Sequence, residues 1–253
     1  MSRKPIIKVN NLVKSYDDLV AVNGISFEVY ENEIFGLLGP NGAGKTSTLE
    51  IIETLRDETE GDVEVDGFSI NKEPQEIKKI IGVQLQQAGF YPNLTLSEVL
   101  DLFAGLYNVS INNIELLKKV GLADKFKAKY KELSGGQKQR FSIATTLVNK
   151  PKIIFLDEPT TGLDPQARRN LWELIKEIRE EGTTIVLTTH YMEEAEYLCD
   201  RVGIMDRGRL MKLDTPNKLV NDLIDSGFTK EQEVKKANLE DVFLDLTGKE
   251  LRD

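Results

Sequence analysis

Eight consecutive residues, Gly39-Pro40-Asn41-Gly42-Ala43-Gly44-Lys45-Thr46, constrain the fold of this chain more than any other stretch. They match G-x-x-x-x-G-K-[ST] in full and separate two segments of different character. Ahead of them, Glu33-Ile34-Phe35-Gly36-Leu37-Leu38 is an apolar run of strand length. Behind them, Leu49, Ile52 and Leu55 recur every third residue, which predicts a helix over residues 46–55. Strand, glycine turn and helix together make a phosphate site. Glycines let the backbone wrap closely enough for successive N–H groups to face phosphate oxygens. The helix N-terminus adds unpaired amides and a dipole that favours anions. Lys45 brings a point charge to the β- and γ-phosphates of a nucleotide, the Thr46 hydroxyl is a ligand for Mg²⁺, and Ser47 completes the candidate set. A chance glycine turn is the alternative, and the matching strand and helix on either side argue against it.

A second cluster supports the first. The apolar run Ile153-Ile154-Phe155-Leu156 leads directly into Asp157-Glu158. In open α/β sheets ligands lie beyond the C-terminal ends of the strands, which places both carboxylates near the phosphate loop. Asp157 is then the candidate to hold Mg²⁺, directly or through water, and Glu158 the candidate to polarise an attacking water. Taken alone, two acids after a strand would be an ordinary solvated strand end.

Elsewhere, Ile6-Ile7-Lys8-Val9 and Ile25-Ser26-Phe27-Glu28-Val29 predict strands. Between about residues 94 and 148 the pattern is helical: Leu96, Val99, Leu100 and Phe103 share one face, Ile114, Leu117 and Leu122 suggest a second short helix, and residues 137–148 a third. Alternation of strand and helix then resumes. Leu171, Leu174, Ile175 and Ile178 mark an amphipathic helix, and Thr183-Thr184-Ile185-Val186-Leu187 a buried strand. Val202-Gly203-Ile204-Met205 and Arg209-Leu210-Met211 read as short strands around the turn Asp206-Arg207-Gly208. The organisation is a single unit, with residues 1–87 and 151–225 as an α/β core, 88–150 as a helical insertion and 226–253 as a tail. In the tail, Leu239, Val242, Phe243 and Leu246 form a helical stripe behind the N-cap candidate Asn238, so a terminal helix docked on the body is expected, with disorder around residues 230–236 as the alternative.

Composition removes several other classes. Cys199 is the one cysteine, which rules out an intrachain disulfide framework, fits a reducing cytoplasm and predicts a buried, inert thiol. No run approaches the roughly 18–20 apolar residues that span a bilayer. The basic start, Met1-Ser2-Arg3-Lys4-Pro5, has no apolar stretch of signal-peptide length behind it. A net charge of −9 argues against a sequence-independent grip on nucleic acid. A compact phosphate pocket is compatible with that charge, because it needs one lysine and many amides.

Leu133-Ser134-Gly135-Gly136-Gln137 sits before a helix, about twenty residues ahead of Asp157-Glu158. A hydroxyl, two glycine amides and a helix N-terminus facing one way form a second anion site, although Ser134 could also serve merely as a cap. With this pentapeptide, and Lys138-Gln139-Arg140 after it, the chain resembles the ATP-binding cassette (ABC) family over nearly its whole length. The resemblance implies an α/β fold: a P-loop NTPase core with an N-terminal antiparallel β subdomain and an inserted α-helical subdomain. It implies ATP and Mg²⁺ as the ligands. Tyr16 lies where the family places a ring stacked on adenine. Gln86, in Ile81-Gly82-Val83-Gln84-Leu85-Gln86, resembles the glutamine that contacts Mg²⁺ and the attacking water; Gln84 and Gln87 are rivals, and the spacing from Gly82 and to Tyr91-Pro92 favours Gln86. Gly162-Leu163-Asp164 resembles the loop that communicates across a dimer, and His190 the histidine that hydrogen-bonds the γ-phosphate. As the only histidine, His190 also excludes a multi-histidine metal site.

In the family each ATP is sandwiched between one subunit's phosphate loop and the other subunit's signature sequence. That implies a homodimer, or a heterodimer with a similar ATPase subunit, which closes on ATP and reopens after hydrolysis. Thr188-Thr189-His190-Tyr191-Met192-Glu193-Glu194-Ala195-Glu196 and Leu239-Glu240-Asp241-Val242-Phe243-Leu244-Asp245-Leu246-Thr247-Gly248 resemble ATPases of exporters for drugs, polyketides, lipids or sodium. Importer ATPases often carry a further C-terminal β-domain, where this sequence has a short helical tail. The implied setting is peripheral, on the cytoplasmic face of the membrane, beside separate transmembrane permease subunits and without nucleic acid. The alternative within the family is a soluble ATPase that works as a mechanical module on ribosomes or DNA; its members usually carry two cassettes or long coiled coils, and the sequence shows neither.

Overall fold

The computed structural model of the chain describes residues 4–84 and 89–228. β1 (Pro5–Tyr16) and β2 (Leu19–Tyr30) form an antiparallel hairpin whose inward positions are Ile7, Val9, Leu12, Val22, Ile25, Phe27 and Val29. Val9 and Leu12 both point inward because a register shift intervenes, with Asn11 at φ 46°. β3 (Ile34–Leu38) follows, then the glycine loop and α1 (Lys45–Ile52). The helix expected to reach residue 55 stops at Ile52: Thr54 adopts φ 60° and Leu55 is exposed beyond the turn.

β4 (Glu60–Val65) adds to β1, and β5 (Phe68–Ser69) to β4, completing an antiparallel sheet of order β2-β1-β4-β5. After α2 (Pro74–Ile80) and β6 (Ile81–Gln84) the chain turns helical, with α3 (Leu96–Tyr107), α4 (Asn113–Lys119) and α5 (Gly135–Thr146). β7 (Ile153–Asp157), α6 (Pro165–Glu180), β8 (Thr184–Thr189), α7 (Met192–Leu198), β9 (Arg201–Asp206), β10 (Arg209–Asp214) and α8 (Pro216–Asp225) follow. The second sheet has the order β10-β9-β3-β8-β7-β6, parallel except for the β9–β10 hairpin. That hairpin turns on Arg207 at φ 47° and Gly208 at φ 75°, the positive pair a two-residue turn requires.

The parallel strands read as unbroken apolar runs because both of their faces are covered. Ile154, Leu156, Ile185 and Leu187 pack into one core with α3 to α7, while Ile153, Phe155, Val186, Phe35 and Leu37 pack into a second with α1 and the antiparallel sheet. Cys199 lies in the first core, buried as expected, where burial pushes its thiol well above the ordinary range. It sits against Gly36, where a Cβ would lie 2.6 Å from Sγ, so β3 accepts no side chain at that position. Among the described residues no helix is long and apolar enough to cross a membrane. The expected tail helix at residues 238–248 lies outside the described residues, as does Gln86.

Candidate active site

Sheet register assembles the site. β3, β8 and β7 lie side by side and parallel, with Leu38 opposite Thr189 and Asp157 opposite Thr188. Gly39, His190 and Glu158 therefore leave the same sheet edge from three adjacent strands, which brings together residues far apart in sequence.

Gly39 N–H donates to Thr189 O at 3.2 Å, pinning the start of the phosphate loop to β8. Gly44 adopts φ 96°, and a Cβ there would lie 2.3 Å from Ala21 O, so the turn into α1 needs glycine on both counts. Lys45 is buried, and its ammonium donates to the carbonyls of Gly39 at 2.8 Å and Pro40 at 3.2 Å. It also lies 3.7 Å from Glu158 Oε1. Thr46 Oγ1 stands 3.2 Å from both oxygens of Asp157, and Thr188 Oγ1 donates to Asp157 from the other side. Burial raises the Asp157 pKa, opposed by these two hydroxyl bonds. A hydroxyl beside a buried carboxylate is an all-oxygen donor pair, the chemistry Mg²⁺ takes together with phosphate oxygens and water. The described residues contain no group of three or more His, Cys, Asp or Glu arranged for a metal.

Glu158 follows β7 at φ 47°, a left-handed conformation uncommon for a branched-free acid and costly without support. The support is visible. Its N–H donates to Thr188 Oγ1 at 3.0 Å, and its Oε2 accepts from Thr161 Oγ1 at 3.2 Å. His190 Nδ1 lies 3.2 Å from Glu158 Oε1 but without hydrogen-bond geometry, so the two groups are neighbours rather than a bonded pair.

A cleft of about 630 Å³ opens over this edge, lined by Tyr16, Leu19, Val20, Ala21, the loop residues Asn41 to Ser47, Glu158 and Arg207. Tyr16 OH and Ser47 Oγ are 3.4 Å apart, and Lys14 and Arg56 place their charges 5.1 and 5.3 Å from the Tyr16 ring centre. Leu19, Val20 and Arg207 were not legible as site residues. The β1–β2 and β9–β10 hairpins bring them in; the sequence marks Arg207 as part of a turn and leaves Leu19 and Val20 as two apolar residues with no stated role.

Ser134, Gly135, Gly136 and Gln137 lie elsewhere, and none of them lines the cleft among the described residues. They form the start of α5 in a reciprocal cap: Gln137 N–H donates to Ser134 Oγ at 3.3 Å, and Ser134 N–H to Gln137 Oε1 at 3.0 Å. Asp164 caps α6 with its side chain alone, accepting from Ala167 N–H at 2.9 Å. Of the three glutamines near β6, Gln86 and Gln87 lie outside the described residues. Gln84 is buried at the end of the strand, and its Oε1 has no hydrogen-bond partner among them.

A glycine-cradled lysine at a helix N-terminus, beside a hydroxyl–carboxylate pair and a second acid at the adjoining strand end, defines a P-loop nucleoside triphosphatase. The profile of the ABC transporter family matches residues 22–161. The linearmycin resistance ATP-binding protein of Bacillus subtilis (strain 168) is 40% identical over 223 residues, covering 86% of this chain and 72% of that protein. Nod factor export ATP-binding protein I of Burkholderia orbicola (strain AU 1054) is 36% identical, with 100% of both chains covered. An ATP-binding cassette solved as a dimer in a post-hydrolysis state with ADP and Pi superposes with a TM-score of 0.75 at 30% identity, covering 83% of this chain and 98% of that one. An ATP-binding subunit of an ABC transporter gives 0.76 at 28% identity, covering 96% and 100%. This chain belongs to the ABC transporter family, as an ATP-binding and ATP-hydrolysing subunit.

Proposed function

We propose that this chain energises an exporter by closing head to tail on a second ATPase subunit, with ATP held between them. The observation that carries the proposal is the division of the anion-binding parts. The phosphate loop, Asp157, Glu158 and His190 share one sheet edge, whereas the capped N-terminus of α5 opens outside that cleft. A site that uses both then needs two chains. The relative solved as a dimer with ADP and Pi supports the pairing, and the names of the resistance and export relatives support the direction of transport.

In this assignment Tyr16 and the hairpin residues beside it take the base, with the ring stacked on adenine. Lys45, the Gly39–Thr46 loop through those of its amides not bonded within the chain, and Ser47 hold the phosphates, and Ser134 to Gln137 of the second subunit cover them. Thr46, Asp157 and Gln86 would hold Mg²⁺, which would supply neutralisation of the phosphate charge. Glu158 orients the attacking water and accepts its proton, while His190 steadies the γ-phosphate and Asp164 faces the dimer partner. Residues 1–87 and 151–225 form the nucleotide-binding core, 88–150 the helical subdomain that meets a separate transmembrane permease, and 226–253 a tail, all on the cytoplasmic face of the membrane.

Glu158→Gln tests the assignment, because an amide preserves shape but accepts no proton. It should leave ATP binding intact, cut phosphate release at least about 100-fold, as general-base loss does, and trap an ATP-held dimer seen by size-exclusion with light scattering. Normal turnover by this variant would remove Glu158 from the role.

A further inference from the structure

One buried acid has no part in the mechanism above. Glu194, in the first turn of α7, is 0% exposed. Its Oε1 accepts from Thr160 Oγ1 at 2.8 Å and from Trp172 Nε1 at 3.0 Å. Oε2 is buried and has no hydrogen-bond partner among the described residues. A carboxylate withdrawn from water costs free energy unless its bonds repay it, so helix and core packing alone would favour an apolar residue here. What distinguishes the position is its two partners, which tie α7 to the loop after Glu158 and to α6.

Thr160 lies two residues after Glu158, and its neighbour Thr161 donates to Glu158 Oε2 at 3.2 Å. Glu194 lies four residues after His190, whose Nδ1 is 3.2 Å from Glu158 Oε1. Trp172 anchors α6, the helix that Asp164 caps. The backbone from Glu158 to Thr160, the Thr160–Glu194 bond, the first turn of α7 and the His190–Glu158 approach therefore close a ring. A second tie lies alongside it: Arg168 of α6 places its guanidinium carbon 5.0 Å from the Tyr191 ring centre, next to His190. Glu158 itself holds a left-handed conformation that its surroundings must sustain.

We propose that Glu194 is a positioning residue for ATP hydrolysis: by clamping Thr160 and Trp172 it fixes the distance between Glu158 and His190. The inference rests on the role given to Glu158 above and adds the element that holds Glu158 in place. The carboxylate acts as an acceptor only, and no proton or ligand passes through it. Trp172 is the one tryptophan of the chain, so its emission reports the clamp without interference from any other site.

The test uses Thr160→Val, which keeps the side-chain volume and deletes one donor, and Glu194→Gln, whose amide oxygen can accept both bonds. Steady-state ATP hydrolysis and Trp172 emission are measured on each, beside Glu158→Gln. Thr160→Val should lower kcat about tenfold, the loss of one hydrogen bond to a charged acceptor, with KM within about twofold and a buried-type emission maximum. Glu194→Gln should stay within about threefold of the parent in kcat. Unchanged kcat in Thr160→Val overturns the proposal, as does a parallel fall of kcat, ATP affinity and melting temperature in both variants, which would make the cluster a piece of core and nothing more. Full turnover by Glu158→Gln would overturn the base assignment instead, leaving the kcat of Thr160→Val to decide whether Glu194 positions any catalytic group.

Discussion

Glu53 presents a sharp electrostatic test. It follows α1, one position past Ile52, is 2% exposed, and stands close enough to Asp157 and Glu50 to feel both charges. Burial first, and then repulsion from Asp157 and Glu50, raises its pKa from 4.5 to about 8. A folded-state pKa above the unfolded one means that the native chain holds this proton more tightly. The contribution to stability is therefore full below pH 4.5, declines as pH rises through the interval, and is lost above about pH 8. At about 1.4 kcal/mol per pH unit, the loss amounts to roughly 3 kcal/mol by pH 7 and roughly 5 kcal/mol at its limit. Glu53→Gln keeps the shape and removes the charge. Urea unfolding of the nucleotide-free protein should show the variant more stable by about 2–4 kcal/mol at pH 8, within the usual range for a buried charge, and equal to the parent near pH 4.5. A parent whose stability is flat between pH 5 and 8, or a variant no more stable at pH 8, would show that Glu53 ionises freely and that burial beside Asp157 does not control it.

Two further substitutions probe the phosphate loop. Lys45→Ala removes the ammonium bonded to the loop carbonyls, and ATP affinity measured by calorimetry should fall about 10- to 100-fold, the value of one charge-assisted bond. Gly44→Ala must carry a Cβ at φ 96° against Ala21 O at 2.3 Å, so thermal unfolding should show a loss of about 2–4 kcal/mol, with nucleotide binding impaired in the surviving folded fraction.

The parts of the site that could be read from the sequence are those whose geometry is local. A lysine between glycine and threonine, at the junction of a strand and a helix, specifies its own surroundings within eight residues. Asp157 and Glu158 became legible because strand direction alone decides which end they occupy. The Thr160–Glu194 and Trp172–Glu194 bonds join residues 34 and 22 positions apart, and nothing in the pattern around Glu194 sets it apart from the neighbouring Glu193 and Glu196. β4 was equally silent, since Glu60-Gly61-Asp62-Val63-Glu64-Val65 has two apolar residues and becomes a strand by pairing with β1. Three-residue spacing included Leu55 in a helix that Thr54 had already ended, because periodicity carries no information about a left-handed residue. α8 was missed although Thr215 and Pro216 give it a proper start and Leu219, Val220, Leu223 and Ile224 recur at helical spacing; the stripe is one turn long, and Val220, Leu223 and Ile224 stay exposed in the fold.

Ser134 shows why a plain structural role and a ligand role need not compete. Its side-chain oxygen accepts from Gln137 N–H, which settles the cap, and Gln137 Oε1 takes the Ser134 N–H in return. That exchange uses the amides of Ser134 and Gln137 and leaves the Ser134 hydroxyl proton free to be donated. The N–H groups of Gly135 and Gly136 belong to the first turn, where a helix supplies no internal acceptor. A Cβ on Gly135 would meet nothing within 4 Å, and one on Gly136 would approach only Ala167 at 3.1 Å, so the backbone there stands open to a close-fitting group. The cap holds α5 rigid, and the donors it does not consume all lie at one helix end where the dipole favours an anion. The phosphate of a nucleotide held by the second ATPase subunit is the group proposed for that end, and the unconsumed donors are the physical argument for a site made of two halves.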